Sequence, residues 1–193
     1  LIRWMLLVAT LALSSPVLAS PQTQVVTAAN TQVSFSIRYL LVAKATGRFS
    51  DVSGSFTFDP QTDEVGGIDV AIATSSVDTG SPARDRDLQG ADFFASDEYP
   101  TMRFIGHETV RTGPHSGRVS GNLTLRGITR PVVLEVSLDH RRATATTSIR
   151  RSDFGMQPGL ASLFIADRVA IRIEISDLPH GTDPATGGPL PPA

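Results

Sequence analysis

The four histidines, His107, His115, His140 and His180, are the side chains of this sequence most suited to proton transfer or metal binding near neutral pH. None falls in an HExxH pattern or any other short metal-ligand spacing. His107 and His140 stand on or near strand ends, where an exposed or capping role is the default, and His115 lies in the turn between Gly113 and Gly117. Cysteine is absent, which removes thiol chemistry, disulfides and cysteine-based metal or redox centres. No G-x-S-x-G elbow occurs, and no glycine-rich phosphate cradle follows a strand. Asn122-Leu123-Thr124 fits a glycosylation sequon, but inside a strand-like run it carries little weight. The densest charge cluster is Arg84-Asp85-Arg86-Asp87. Adjacent helical residues do not face one another and arginine stays protonated, so the cluster reads as a helix-end ion-pair network, with Arg84 reaching Asp87. An enzyme would have to draw on Arg84, Asp85, His107 or Tyr99 as polar groups. The expectation is therefore a protein with no catalytic residues, no metal site and no cofactor.

The cluster belongs to the stretch from Val77 to Phe104, which differs in kind from what surrounds it. Ser81-Pro82 reads as a helix start, with an N-cap oxygen and proline at the first helical position. Apolar Leu88, Phe93 and Phe94 follow, Pro100 stops the helix, and Met102 and Phe104 resume a two-residue period. Phe93 and Phe94 either seal one end of the fold or line a channel near its mouth, one ring facing each way. Elsewhere the chain alternates almost throughout. Val33, Phe35 and Ile37 form one such run, Phe56 and Phe58 another, and Ile68, Val70 and Ile72 a third. Val119, Leu123 and Leu125, then Val132, Leu134, Val136 and Leu138, then Val169, Ile171, Ile173 and Ile175 continue the pattern. Each run puts apolar groups on one face and polar groups on the other. Turn signals separate them at Asp51–Gly54, Asp59-Pro60, Gly66-Gly67, Thr112–Pro114 and Gly127, and Gly47 also reads as a turn. Seven or eight such strands make an all-β antiparallel sandwich or barrel. About eight strands enclose an interior that side chains fill or that holds one small ligand, and both cases stay open. Leu40-Leu41-Val42-Ala43 breaks the alternation as a bulge, a short helical turn or a lip, serving as a plug or as a gate.

Residues 1–19 read as a signal peptide, with Arg3, an apolar run from Trp4 to Leu13 and a Val17-Leu18-Ala19 cleavage site. The apolar run is too short to span a bilayer, so the mature protein is expected to have no integral membrane span. Residues 20–177 form one domain, and 178–193, rich in proline and glycine, read as a disordered tail. A net charge of −2 without any basic stretch argues against nucleic acid and gives no sign of an anionic membrane partner. Aromatics are 6% of residues, too few for the girdles of an outer-membrane barrel.

Several of these stretches occur together in one known family. Asp78-Thr79, Arg84-Asp85 with Leu88, Phe93-Phe94 and Tyr99-Pro100-Thr101 are flanked by Phe35–Arg38 and Gly47–Phe49 upstream. Downstream come Gly121–Val132 and Arg151–Gly155. From about Val25 to Asp177 the chain resembles the YceI-like polyisoprenoid-binding family. The resemblance implies an eight-stranded lipocalin-like barrel with a short helical segment between two strands. It also implies a periplasmic or secreted protein holding a long polyisoprenoid lipid, such as an isoprenoid quinone or polyprenyl carrier, and a homodimer would fit it. The cavity-lining candidates are then Phe35, Ile37, Leu40, Phe49, Phe56, Ile68, Val70 and Ile72, with Phe93, Phe94, Met102 and Phe104. Leu123, Leu134, Val136, Phe154, Ile171 and Ile173 complete them. The signature joins Arg84, Asp85 and Asp87 to Arg151 and Asp153 in one structural polar network. Where the family commonly has histidine, this chain has Tyr39, so head-group recognition would differ. A packed structural or stress domain without ligand, and an enzyme using the same cavity, are the alternatives.

Overall fold

The computed structural model describes residues 21–40, 43–156, 159 and 164–179. The signal-peptide reading and most of the proposed tail lie outside these residues. Eleven strands form one antiparallel sheet, so the expected eight-stranded barrel is corrected to a curled half-barrel of eleven. They are β1 (Gln22–Thr27), β2 (Thr31–Tyr39), β3 (Ala43–Phe49), β4 (Val52–Asp59), β5 (Glu64–Ala73) and β6 (Val77–Asp78). After the helix α1 (Pro82–Gln89) come β7 (Thr101–Gly113), β8 (Ser116–Leu125), β9 (Ile128–Asp139), β10 (Arg142–Arg150) and β11 (Ile165–Ile175). Their order across the sheet is β1-β4-β5-β7-β8-β9-β10-β11-β2-β3-β6. The sheet curls until inward side chains from strands far apart in this order, such as Ile72 on β5 and Phe49 on β3, face one interior.

The strands absent from the alternation have weak inward faces. β10 turns Ala143, Ala145, Thr147 and Ile149 inward, and β3 turns Ala45, Gly47 and Phe49, so small side chains hide the period. Gly47 is no turn: it sits mid-strand opposite Phe35, whose ring lies where a Cβ would be, 2.5 Å from it. Gly54 likewise lies within β4, at φ +141° and next to a register shift, with a hypothetical Cβ only 2.1 Å from the Asp69 carbonyl oxygen. That close approach requires glycine and bends the sheet.

Ser81 is the N-cap of α1 and Pro82 its first residue, as expected, although Ser81 contributes its backbone oxygen, which accepts from Asp85 N at 2.9 Å. The helix ends at Gly90, well before Pro100. Leu178, assigned to the tail, is instead in the core: it is 3% exposed and its amide donates to the Arg141 carbonyl at 3.0 Å.

Candidate functional site

One end of the half-barrel, where β2 and β10 finish and β11 begins, opens into a cavity of about 930 Å³. β2 supplies Phe35, Ile37 and Tyr39, β11 supplies Ile165 and Val169, and α1 with its following turns supplies Leu88, Phe93 and Phe94. No residue of the helix is fully buried: Leu88 packs against the edge of the core, and the helix lies over the opening as a cover. Deeper between the strands is an apolar cavity of about 100 Å³. Phe35, Phe94, Leu125 and Ile149 line both, so that the boundary between the two is a neck filled by these side chains. Phe94 is held there by Phe49, their ring centroids 5.6 Å apart at 70°.

The fold sorts the candidates read from the alternation. Ile37, Leu40 and Phe93 line the mouth; Phe35 and Phe94 line the neck. Phe49, Ile72, Met102, Phe104, Leu123, Leu134, Ile171 and Ile173 line the inner cavity. Phe56, Ile68, Val70, Val136 and Phe154 border neither cavity and pack in the core. Of the Phe93-Phe94 pair, Phe93 faces only the mouth and Phe94 both spaces. Leu125, Ile149, Met156, Phe164 and Val169 also line the site, and alternation alone could have offered Leu125 and Val169. Leu40 closes β2 at φ 48°, 56% exposed, while Leu41 and Val42 lie outside the described residues.

The expected polar network divides in two. Arg84 does not reach Asp87. Its Nε donates to Thr79 Oγ1 at 2.9 Å and its Nη2 to the Thr79 carbonyl at 2.8 Å. Asp85 accepts from the same residue, from Thr79 N at 2.9 Å and Oγ1 at 2.5 Å. Thr79, part of the Asp78-Thr79 pair, is thus the hub that ties α1 to β6. Next to it Asp78 accepts from Gly80 N at 2.9 Å and from Arg48, and both contacts hold its carboxyl below the usual range. Arg151 and Asp153 do not join this network or each other. The buried ring of Phe154, 1% exposed, anchors a 3₁₀ turn (Ser152–Phe154) that sets Arg151 in the cavity wall. Arg151 is 6% exposed; its Nε and Nη2 donate to the Ala166 and Ile165 carbonyls at 3.0 Å each, and its Nη1 has no partner. Burial pushes its guanidinium below the ordinary arginine value, while Asp167 pulls the other way. Asp153 offers only its carbonyl, to Arg130 Nε at 3.2 Å. His107 and Tyr99 are not brought to Arg84 and Asp85. His107 is exposed on β7, and Tyr99 borders neither cavity, its phenol held above the ordinary value by Glu98. Among the described residues no group of three or more His, Asp or Glu is placed to hold a metal, and no helix is long and apolar enough to cross a membrane.

Residues 25–176 match the family model of the YceI-like domain. A UPF0312 protein of Pseudomonas aeruginosa is 39% identical over 106 residues, covering 55% of each chain. Protein YceI of Escherichia coli O157:H7 is 38% identical over 106 residues, with the same coverage. The alignment thus spans about half the length of the curated relatives. The crystal structure of a Campylobacter jejuni YCEI protein, 28% identical, covers 72% of this chain and 87% of its own with a TM-score of 0.65. Burkholderia cenocepacia BcnA, 25% identical, covers 77% and 96% with a TM-score of 0.68. A polyisoprenoid binding domain from Saccharophagus degradans, implicated in plant cell wall breakdown, shares the fold at 16% identity, covering 81% and 99% with a TM-score of 0.56.

Proposed function

The chain belongs to the YceI-like domain family, and on that premise we propose that it is a binding protein, not an enzyme, holding a long-chain polyisoprenoid in its cavity. An isoprenoid quinone or a polyprenyl carrier is the ligand class, held for transport, storage or stress protection. The observation that carries this reading is the shared neck. A mouth of about 930 Å³ and a smaller apolar interior meet at four shared apolar side chains, an arrangement that suits one long chain better than a compact molecule. The mouth lies in the upper range of small-ligand cavities, ~300–1,000 Å³. Each buried methylene contributes ~0.8 kcal/mol, so ten buried carbons give ~8 kcal/mol. Association itself opposes binding by ~4–15 kcal/mol, so tight binding needs a tail of roughly twenty carbons or more. That length favours a polyprenyl chain over a short acyl chain. Arg151, a cation in the wall with Nη1 unpartnered, favours a head group carrying an acceptor oxygen.

A neighbour of the same fold is itself a polyisoprenoid binding domain, which supports the pairing of this architecture with that ligand. Export to the periplasm or medium is part of the same reading, supported by the basic and then apolar pattern of residues 1–19. Native mass spectrometry of the protein from a bacterial host, with a parallel lipid extract, tests it. An adduct that extracts as a prenyl lipid is expected. A clean apoprotein mass, unchanged after incubation with long-chain quinones, would overturn it in favour of a packed domain.

A further inference from the structure

The outer face of the sheet carries a row of cations at the cavity end. Arg150 stands directly opposite Arg168 in the β10–β11 register, and Arg38 opposite Lys44 in the β2–β3 register. β11 and β2 are neighbours that place Val169 against Ile37; a register shift between Ile165 and Val169 leaves Arg168 without a direct partner on β2, and the row runs Arg150, Arg168, Arg38, Lys44 across four adjacent strands. Ile149, Val169, Ile37 and Ala45, one position along from each, line the cavity; alternation turns Arg150, Arg38 and Lys44 outward, and all four cations are exposed. Like charges directly opposite one another destabilise a sheet. Several other strand arginines are matched with acids, as in Arg48–Asp78, Arg103–Asp69 and Arg118–Glu135. None of these four cations makes an ion pair among the described residues. Asp167 lies close to Arg150, but its two oxygens accept from Ser152 N at 2.9 Å and Ser152 Oγ at 2.7 Å; Asp153 borders a groove with Arg150 and Arg168, and Asp87 and Asp92 stand across the mouth on the helix side.

Beside this row the mouth presents apolar groups to solvent: Tyr39 is 38% exposed, Leu40 56% and Phe164 59%. Leu40 N donates to the Phe164 carbonyl at 2.8 Å, and Tyr39 pairs with Ile165, so the three form one lip. All three also line the cavity.

We infer that this lip and its cation row dock on the surface of an anionic lipid bilayer, so that the cavity opens against the acyl region. Basic residues flanking an exposed apolar edge seat a protein at the boundary of head groups and acyl chains. An acidic protein or polymer would engage the cations but leave Leu40 and Phe164 in water. The four cations are scattered along the chain and meet only through strand register, which is why no basic stretch announces them in the sequence. The inference rests on the lipid-cavity reading for its purpose, while surface binding and cavity content are separate readouts.

The test is flotation of the full chain with vesicles of phosphatidylcholine alone or mixed with phosphatidylglycerol, at low and high salt, comparing wild type with Arg150→Glu and Leu40→Asp. Charge reversal at Arg150 is expected to lower partitioning onto the anionic vesicles roughly thirty-fold and to leave that onto neutral vesicles unchanged. The same substitution sets opposite charges across from each other at Arg168, so the melting temperature should hold or rise, which excludes misfolding as the cause. Leu40→Asp should weaken anionic partitioning as well. Equal losses on both vesicle types, or no loss for Arg150→Glu, would overturn the inference. So would a Leu40→Asp protein that binds as before while polyglutamate displaces it, which would assign the row to an acidic polymer. Wild type that floats but extracts free of prenyl lipid would keep the surface and remove the ligand; the converse would keep the ligand and remove the surface.

Discussion

Truncating Phe94 to alanine tests whether the neck lies on the path of a ligand tail. The ring touches Phe49 edge to face and lines both the mouth and the inner cavity. Phenylalanine to alanine in a packed core destabilises by ~3–5 kcal/mol. Phe94 is only partly buried, with one side on open space, so about 2–3 kcal/mol is expected. At ~2–4 °C per kcal/mol for a chain of this size, the melting temperature should fall by about 4–12 °C. Binding should change in the opposite sense for long chains. A short prenyl chain fits the mouth alone, whereas a long one must displace the Phe94 ring from Phe49, a contact worth ~0.5–1.5 kcal/mol. Removing the ring removes that barrier, so the ratio of long-chain to short-chain affinity should rise roughly two- to twelve-fold. Competitive displacement of a fluorescent prenyl probe by ligands of graded length measures that ratio, and differential scanning fluorimetry measures the stability. A normal stability loss with an unchanged ratio would refute the idea that the tail passes the neck. An unchanged melting temperature would refute the packing assigned to Phe94.

Three further outcomes follow from other parts of the fold. Arg151→Met leaves the Ala166 and Ile165 carbonyls unpaired, at ~1–3 kcal/mol each, and should lower the urea midpoint. It should also weaken acidic-headed prenyl lipids more than the corresponding prenyl alcohols, as read by the same displacement assay. Gly54→Ala drives a methyl group into the Asp69 carbonyl at a positive φ and should destabilise by more than ~3 kcal/mol, measured by urea unfolding, whereas Gly80→Ala, with open space around it, should cost far less. Asp69 is held below the ordinary carboxylate value by hydrogen bonds from Arg103, one of them Nε to Oδ1 at 2.7 Å. Its contribution is therefore complete above the unfolded value of 3.8 and is lost as pH falls through the lower folded value. Asp69→Asn should thus lie below wild type at pH 6 and converge with it in acid, as followed by melting temperature against pH.

The large apolar alternations announced seven of the eleven strands and many side chains of the inner cavity, but few of those at the mouth. What stayed hidden has a physical cause in each case. β3 and β10 present alanine, glycine and threonine inward because bulky partners such as Phe35 fill the space across from them, and small residues carry no hydrophobic period. The distinction between Phe49, which lines the cavity, and Phe56, which packs in the core, depends on how the sheet curls, and alternation encodes only the face. A threonine after an aspartate has no chemistry of its own; its two neighbours in space, Arg84 and Asp85, make Thr79 a hub. Arg151 and Arg84 share a family signature, yet one is buried against backbone carbonyls and the other lies exposed over Thr79, so sequence proximity to a motif did not fix a partner.

The position of β11 between β10 and β2 also bears on how the chain reaches this state. The strands from β7 to β11 pair with their sequence neighbours and can assemble as they emerge. β2 and β3 cannot take their places until β11 exists, since Val33 pairs with Ile173 and Thr31 with Ile175. The first long hairpin of the chain is therefore docked by the last strand described, through contacts such as Ser34 Oγ to the Arg172 carbonyl at a separation of 138 residues. Pairings this distant in sequence form slowly and late. Until β11 is present, β2 lacks the strand against which Phe35 and Ile37 pair. β11 is thus the strand that joins the first long hairpin of the chain to the run from β7 to β10.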